Sequence, residues 1–386
     1  FGWFGRAGYR TGALGKLHTP RYWVERECQY VYDSFIQHPT YLEALGLHGE
    51  NDNRGYHENA GESGRSNLPL EHSCEWVLAK HFRRFLDQDF ESADRCGHDA
   101  PWMAWATFAR PHQPYTPSEP YASMYAPREI ALPPTGEGES PALRKVRENE
   151  RYGPFDEETL RHNVAAYLGC LWQVDAAIGL ILEDLESRGE LENTIIVYAS
   201  DHGDHAGEHG MYEKKAGISA RSICRVPLIV RFPEQVGAGA VRNEVVEAVD
   251  VFPTLCDLAG IEVPTMAQGR SLVPLLGEDP EPVREDALTE NVHRTALATT
   301  RYRYVANVEG EDDELYDLAE DPWELHNLID DPAHADVAET LRRRLRQRVV
   351  EARRPVTAFR GGWIYHRYDE DGRLDPDSLK RTTPYD

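Results

Sequence analysis

Lysine is scarce in this chain of 386 residues. Lys16, Lys80, Lys145, Lys214, Lys215 and Lys380 are the full set, against 66 acidic residues. The formal charge of −24 argues against a general nucleic-acid binder, which needs a basic face to neutralise phosphates. The cysteines are Cys28, Cys74, Cys96, Cys170, Cys224 and Cys256. None forms a Cys-x-x-Cys pair, so a structural zinc knuckle is not expected. Cys170 and Cys256 fall in apolar helical patterns and read as core residues. No apolar run reaches the length expected of a membrane span, and there are no internal repeats or low-complexity tracts. The length is enough for one large domain and a smaller one.

The most informative stretch is Thr194 to Lys214, TIIVYASDHGDHAGEHGMYEK. Its first half is a short β-branched run, the pattern of a buried strand. The run ends in Ser200-Asp201-His202-Gly203. In open α/β sheets, ligands sit beyond the carboxyl ends of strands. A carboxylate and an imidazole side by side there can hold a divalent cation, which makes Asp201 and His202 the candidate metal ligands. Gly203, Gly207 and Gly210 let the following loop fold tightly, and Lys214 and Lys215 add positive charge. An alternative set, His202, His205 and His209, suggests a small zinc cluster, although its spacing is loop-like. Three of the six lysines lie in this loop or beside Gly15, which composition alone does not favour.

Elsewhere the pattern predicts a strand over Gly8 to Leu14, turning away at Gly15-Lys16-Leu17-His18. A helix is expected over Pro69 to Leu86, and a buried strand over Trp102 to Phe108. That strand exits into Ala109-Arg110-Pro111-His112-Gln113-Pro114, a loop fixed by two prolines. Pro127 to Gly153 reads as a long surface loop. Glu157 to Arg188 is the clearest helix, with one apolar stripe from Leu160 to Leu185. Strands are expected over Arg225 to Phe232, and paired strands over Thr295 to Thr300 and Tyr302 to Ala306. An arginine-rich helix from about Ala333 to Arg353 reads as having a solvated Arg342 to Arg348 face. Strand–helix alternation stops near Gly269, which places a domain boundary between 1–268 and 269–386.

Lys16 offers a mobile point charge for an anionic oxygen, and His18 can move protons at neutral pH. Together with Asp201 and His202 they suggest metal-assisted attack on an anionic ester.

Taken in order, Gly8–His18, Pro111-His112-Gln113-Pro114, Ser200–Gly210, Arg225–Val230, Asp250–Leu255 and Leu315–Leu328 resemble the successive sequence blocks of the sulfatase family, within the alkaline-phosphatase-like superfamily. No single block is decisive, but the order is the family's. The resemblance implies an α/β fold with a mixed sheet flanked by helices and a smaller C-terminal α+β subdomain. It implies a sulfuric ester hydrolase acting on a small-molecule or carbohydrate sulfate ester with a divalent metal, Ca²⁺ ahead of Mg²⁺ or Mn²⁺. By the same resemblance Lys16 binds the transferring group and His18 contacts the nucleophile. His112 donates to the ester oxygen or protonates the leaving group. Lys214 matches the later sulfate-binding lysine, with Lys215 adjacent and able to serve instead.

One departure stands out. The family's paired aspartates and its Cys/Ser-x-Pro-x-Arg segment, source of the formylglycine nucleophile, have no counterpart here. Ser118-Glu119-Pro120-Tyr121-Ala122 lacks the arginine and follows the His112 loop. The resemblance therefore implies a chain that begins after the nucleophile segment and has negligible turnover by itself. Two rival readings follow: a phosphonate monoester or phosphodiester hydrolase of the same superfamily, and an inactive fragment or pseudoenzyme that only binds anions.

Overall fold

A computed structural model describes residues 1–47, 63–90, 97, 99–136, 139–148, 155–214, 219–233, 237–291, 293–307 and 312–352. Cys96, His98, Lys215 and Lys380 lie outside the described residues. The chain divides into two compact units, Phe1–Gln235 with Asp321–Asn327, and Val236–Glu320 with Leu328–Asp386. The second unit thus takes in part of the segment that strand–helix alternation had assigned to the core. The reason is local: the short helix after Asp250 is bonded to segments that follow it, at Arg270 and Leu272.

In the first unit, strands β1 (Arg10–Gly15), β2 (Tyr30–Asp33) and β3 (Trp102–Thr107) form a parallel sheet in the order β2-β1-β3. All six residues of β1 are buried, as expected of a strand flanked on both sides. Helices α1 (Gly2–Arg6), α2 (Arg21–Glu27) and α3 (Ser34–Ala44) lie around it in sequence, and α4 (Cys74–Leu86) follows. Val77, Leu78, Phe82 and Phe85 of α4 recur at helical spacing and are buried with Leu14 and with Ile181 and Leu185. Each such side chain contributes about 1.5–3 kcal/mol on burial. Gly12 permits this approach, because a Cβ there would meet the Phe85 ring at 2.9 Å.

Helix α5 (Pro141–Arg147) breaks the expected surface loop. Ser140 caps it by accepting the Leu143 N–H, and Leu143 is buried against Met211, Ala220 and Ile223. The proline-rich surroundings hid a helix that uses proline at its first turn, where no N–H is needed.

Helix α6 (Glu157–Ser187) matches the expected span and is capped by Asp156. By length and composition it is able to cross a bilayer, contrary to the expectation that no run is long enough. It also carries Gln173, buried and bonded on both sides to protein groups, which marks a core helix.

Strands β4 (Ile196–Ala199) and β5 (Leu228–Arg231) form an antiparallel pair, and α7 (Arg221–Cys224) precedes β5. Neither β3 nor β4 is buried as its sequence suggests. Trp105 of β3 and Tyr198 of β4 are 50% and 37% exposed. Among the described residues β3 pairs with β1 alone and β4 with β5 alone, so each keeps an open edge.

The second unit holds α8 (Val251–Leu258), α9 (Val273–Leu276), a four-stranded antiparallel sheet and α10 (Ala335–Ala352). Its strands β6 (Ala287–Glu290), β7 (Arg294–Ala298), β8 (Tyr302–Asn307) and β9 (Glu314–Asp317) run in sequential order. Leu297, Tyr304 and Leu315 pack against Ala338, Leu341 and Leu345 of α10. The arginine face of α10 is not simply solvated. Arg344 and Arg348 pair with Asp286 at 2.5 and 2.7 Å, and Arg348 also pairs with Glu247. Glu247 meets Arg284 at 2.5 Å, and Arg284 in turn pairs with buried Asp250. The first unit's β2-β1-β3 sheet and helices, with the second unit's helix-packed sheet, make an α/β fold of the alkaline-phosphatase-like kind with an α+β second unit.

Candidate active site

Parallel pairing puts the carboxyl ends of β1 and β3 at the same edge, and each end delivers a candidate residue. β1 ends at Gly15, φ 108°, where a Cβ would lie 1.8 Å from the Thr107 carbonyl. Only glycine fits, and the chain turns there into Lys16. The Lys16 N–H donates to the Thr107 carbonyl at 3.0 Å, and the Thr107 hydroxyl donates to the Lys16 carbonyl at 2.9 Å. The Lys16 ammonium sits 5.9 Å above the Phe35 ring, on which the His18 imidazole also stacks at 5.9 Å. Such cation–π contact orients a lysine without neutralising it.

β3 leads through Arg110 to His112. Arg110 is wholly buried and pairs at 2.5 Å with Glu75 of α4. It also donates to the Thr116 carbonyl, and Gln173 of α6 donates to Glu75. The loop is thereby anchored to two helices. His112 donates from Nδ1 to the Gln113 carbonyl at 2.8 Å, which leaves Nε2 as the acceptor of a neutral ring.

β4 leads to Asp201 and His202. His202 likewise donates from Nδ1, to the Gly203 carbonyl, at 2.8 Å. Gly203 is required, since a Cβ would fall 1.8 Å from the Ser222 carbonyl. Lys214 closes the group: its Nζ lies 2.9 Å from His202 Nε2 and 3.4 Å from His112 Nε2. Residues from two strand ends, those of β3 and β4, therefore converge on one ammonium.

The electrostatics agree with the geometry. Burial, then the Lys214 charge, lowers the Lys16 pKa, while Asp201 opposes. Burial, Lys16 and Lys214 lower that of His18. His112 is driven to about 4 by burial, assisted by Lys16, Lys214 and His202. Desolvation resists charge on Asp201, but His202 and Lys16 outweigh it and hold the carboxylate below its ordinary range. Burial is the first cause of the low values of Lys16, His18 and His112, and neighbouring positive charge adds to it.

Asp201 and His202 fit part of a metal shell. Their Oδ2 and Nε2 atoms are 3.6 Å apart, and the Nδ1–H bond of His202 aims its lone pair outward as metal-bound histidines require. Among the described residues no group of three or more His, Cys, Asp or Glu side chains is placed to hold a metal. The pair could supply two ligands of a larger shell, and a metal on Nε2 would require Lys214 to move off it. The alternative histidine cluster is not assembled. His205 and His209 are buried, bonded to Ser222 at 3.1 Å and paired with Glu139 at 3.4 Å respectively.

The sequence reading passed over Asp204, Glu75 and Gln173. Asp204 was visible beside Asp201-His202. Glu75 and Gln173 give no local signal, because they reach the site only through tertiary packing.

Comparison with known proteins identifies the family. Residues 1–261 match the Sulfatase family model, and the chain belongs to the sulfatase family. Residues 207–351 match the model described as N-sulphoglucosamine sulphohydrolase, C-terminal. An arylsulfatase of Clostridium perfringens is 26% identical over 88% of this chain and 75% of its own length. A choline-sulfatase of Rhizobium meliloti is 28% identical over 85% of this chain and 66% of its own. A phosphonate monoester hydrolase of Agrobacterium radiobacter superposes with a TM-score of 0.71 at 24% identity, over 90% of this chain and 79% of that one. The chain thus spans about two thirds to three quarters of the length of these curated relatives.

Proposed function

We propose that this protein is a sulfuric ester hydrolase whose anion site is built from Lys16, His18, His112, His202 and Lys214. The observation that carries the reading is the convergence of His112, His202 and Lys214 from separate loops, with Lys16 and His18 within electrostatic reach. Lys16 and Lys214 offset charge on the non-bridging oxygens of the ester, charge that grows toward the transition state. Asp201 and His202 hold a divalent metal, Ca²⁺ by preference for the carboxylate or else Mg²⁺ or Mn²⁺, which when bound supplies Lewis-acid polarisation of a sulfate oxygen. Burial is the main cause of the low His112 pKa, and an anion seated against the lysines cancels the smaller contribution of their charges. The imidazole then gains basicity and can carry a proton to the departing alcohol oxygen. The nucleophile the family uses is a formylglycine, and its segment is not part of this sequence. The substrate class is a sulfate ester of a small molecule or carbohydrate.

A second reading, phosphonate monoester or phosphodiester hydrolysis, is favoured by the structural likeness to the phosphonate monoester hydrolase. Assay of Ca²⁺-loaded protein completed with the family's nucleophile segment, on 4-nitrophenyl sulfate and on a phenyl phosphonate monoester side by side, separates them. The first reading expects the larger kcat/KM on the sulfate. A larger value on the phosphonate overturns it, and saturable sulfate binding without turnover of either supports an anion-binding role alone.

A further inference from the structure

The site depends on where Lys214 is held, yet Lys214 is exposed and follows a loop with several left-handed residues: Ala206, Gly207, His209, Gly210 and Glu213. Glu213, immediately before Lys214, has φ 65°, a conformation uncommon outside glycine and sustained only where surroundings impose it. Two side chains are placed to do so. The Asp204 carboxylate accepts the Glu213 N–H at 2.9 Å on Oδ1, and the same oxygen accepts the Ala206 N–H at 2.9 Å. Its other oxygen accepts the Tyr115 hydroxyl at 2.6 Å, and the Tyr115 oxygen also receives the Glu213 N–H at 3.1 Å. Tyr115 is buried, with Tyr167 and Tyr212 packed edge-on to its ring.

The covalent links give this arrangement its meaning. Tyr115 stands three residues after His112, and Asp204 two residues after His202. The backbone they jointly grip is one residue before Lys214. We propose that Tyr115 and Asp204 are positioning residues, a clamp that sets the Lys214 ammonium against the His112 and His202 imidazoles. This inference rests on the anion-site reading above and names what holds that site in register. Burial, and then the Asp204 carboxylate, keep the Tyr115 phenol well above its ordinary pKa, so it remains a donor at working pH. Neither side chain touches the reacting atoms. Each acts through the backbone amide of Glu213.

Competitive acetylation of the intact protein with limiting acetic anhydride, read by mass spectrometry, tests the clamp. Lys80, whose ammonium donates to the Glu71 carbonyl at 2.7 Å on a separate helix, is the internal reference. The variants are Tyr115→Phe, Asp204→Ala and the pair together. The clamp expects the Lys214-to-Lys80 labelling ratio to rise about threefold or more in each single variant and no further in the double, since both act on one amide. The Lys145-to-Lys80 ratio should stay unchanged, which general loosening of the fold would not allow. Ratios within twofold of wild type in Tyr115→Phe, the milder change, or effects that multiply in the double, overturn the proposal. Inorganic sulfate added to the wild-type protein tests the anion site separately. Failure to protect Lys214 counts against that reading, while the clamp stands or falls on the ratios.

Discussion

Two groups of basic side chains in this protein have opposite company. In the second unit Arg284, Arg344 and Arg348 face Glu247, Asp250 and Asp286, all bonded within one network. In the first, the hydrogen-bond partners of Lys214 are two imidazole nitrogens, and Lys16 is oriented by an aromatic ring. The arginines spend their charge on the fold. The lysines are left beside imidazoles and an aromatic ring, as the proposed anion site requires. Arginine's fixed fork suits the first task and the mobile ammonium of lysine the second.

Breaking the buried pair behind the His112 loop should have the largest effect. Glu75→Ala leaves the Arg110 guanidinium buried without its carboxylate, and should cost about 3–5 kcal/mol in urea denaturation. A loss below about 1 kcal/mol would mean that the loop is anchored by its other bonds. Lys214→Ala should do the reverse. In protein completed with the family's nucleophile segment it should lower kcat/KM on a sulfate ester by about 100-fold or more, while leaving stability within about 0.5 kcal/mol. If instead stability falls and turnover persists, Lys214 belongs with the structural cations.

A smaller effect is expected from His81, whose Nδ1 lies 2.6 Å from the Tyr30 hydroxyl and whose ring stacks on Tyr32 at 3.8 Å. Burial first, and Arg84 next, lower its pKa to about 4. As pH falls below about 6.5 the unfolded chain takes up a proton that the folded chain accepts only near 4, so stability declines across that window. Above it this group contributes no pH dependence. His81→Phe should remove about 1–2 kcal/mol of the loss between pH 7 and 4.5, measured from urea midpoints. An unchanged pH slope would contradict the assignment. The smallest effect belongs to Arg21→Ala. The Arg21–Glu25 pair is exposed on both sides, and its loss should shift stability by less than about 0.5 kcal/mol. A larger change would show that surface pairs on α2 matter more than their exposure allows.

Much of this site was legible from residue types. Asp201-His202 after a β-branched run, and His112 between two prolines, were placed at strand exits by pattern alone, and the structure brings them together around Lys214. The helix over α6 was legible because one apolar stripe, from Leu160 to Leu185, covers most of its thirty-one residues. What failed was burial. The Trp102 and Thr194 runs read as covered strands, yet apolarity does not say how many neighbours a strand has, and β3 and β4 each keep an open edge. The arginine face of α10 read as solvated because its acidic partners, Glu247 and Asp286, lie distant in sequence. Asp204 was visible but unassigned, since its role is to bind backbone N–H groups that only the folded loop presents.

The central claim is that Lys16 and Lys214 serve an anion and the arginines of the second unit do not. Calorimetric titration with inorganic sulfate tests it most directly, on wild type, Lys16→Ala, Lys214→Ala and Arg344→Ala. Saturable binding in wild type and Arg344→Ala, weakened about tenfold or more in each lysine variant, is the predicted result. Equal affinity in Lys214→Ala and wild type, or no binding in wild type, would contradict it.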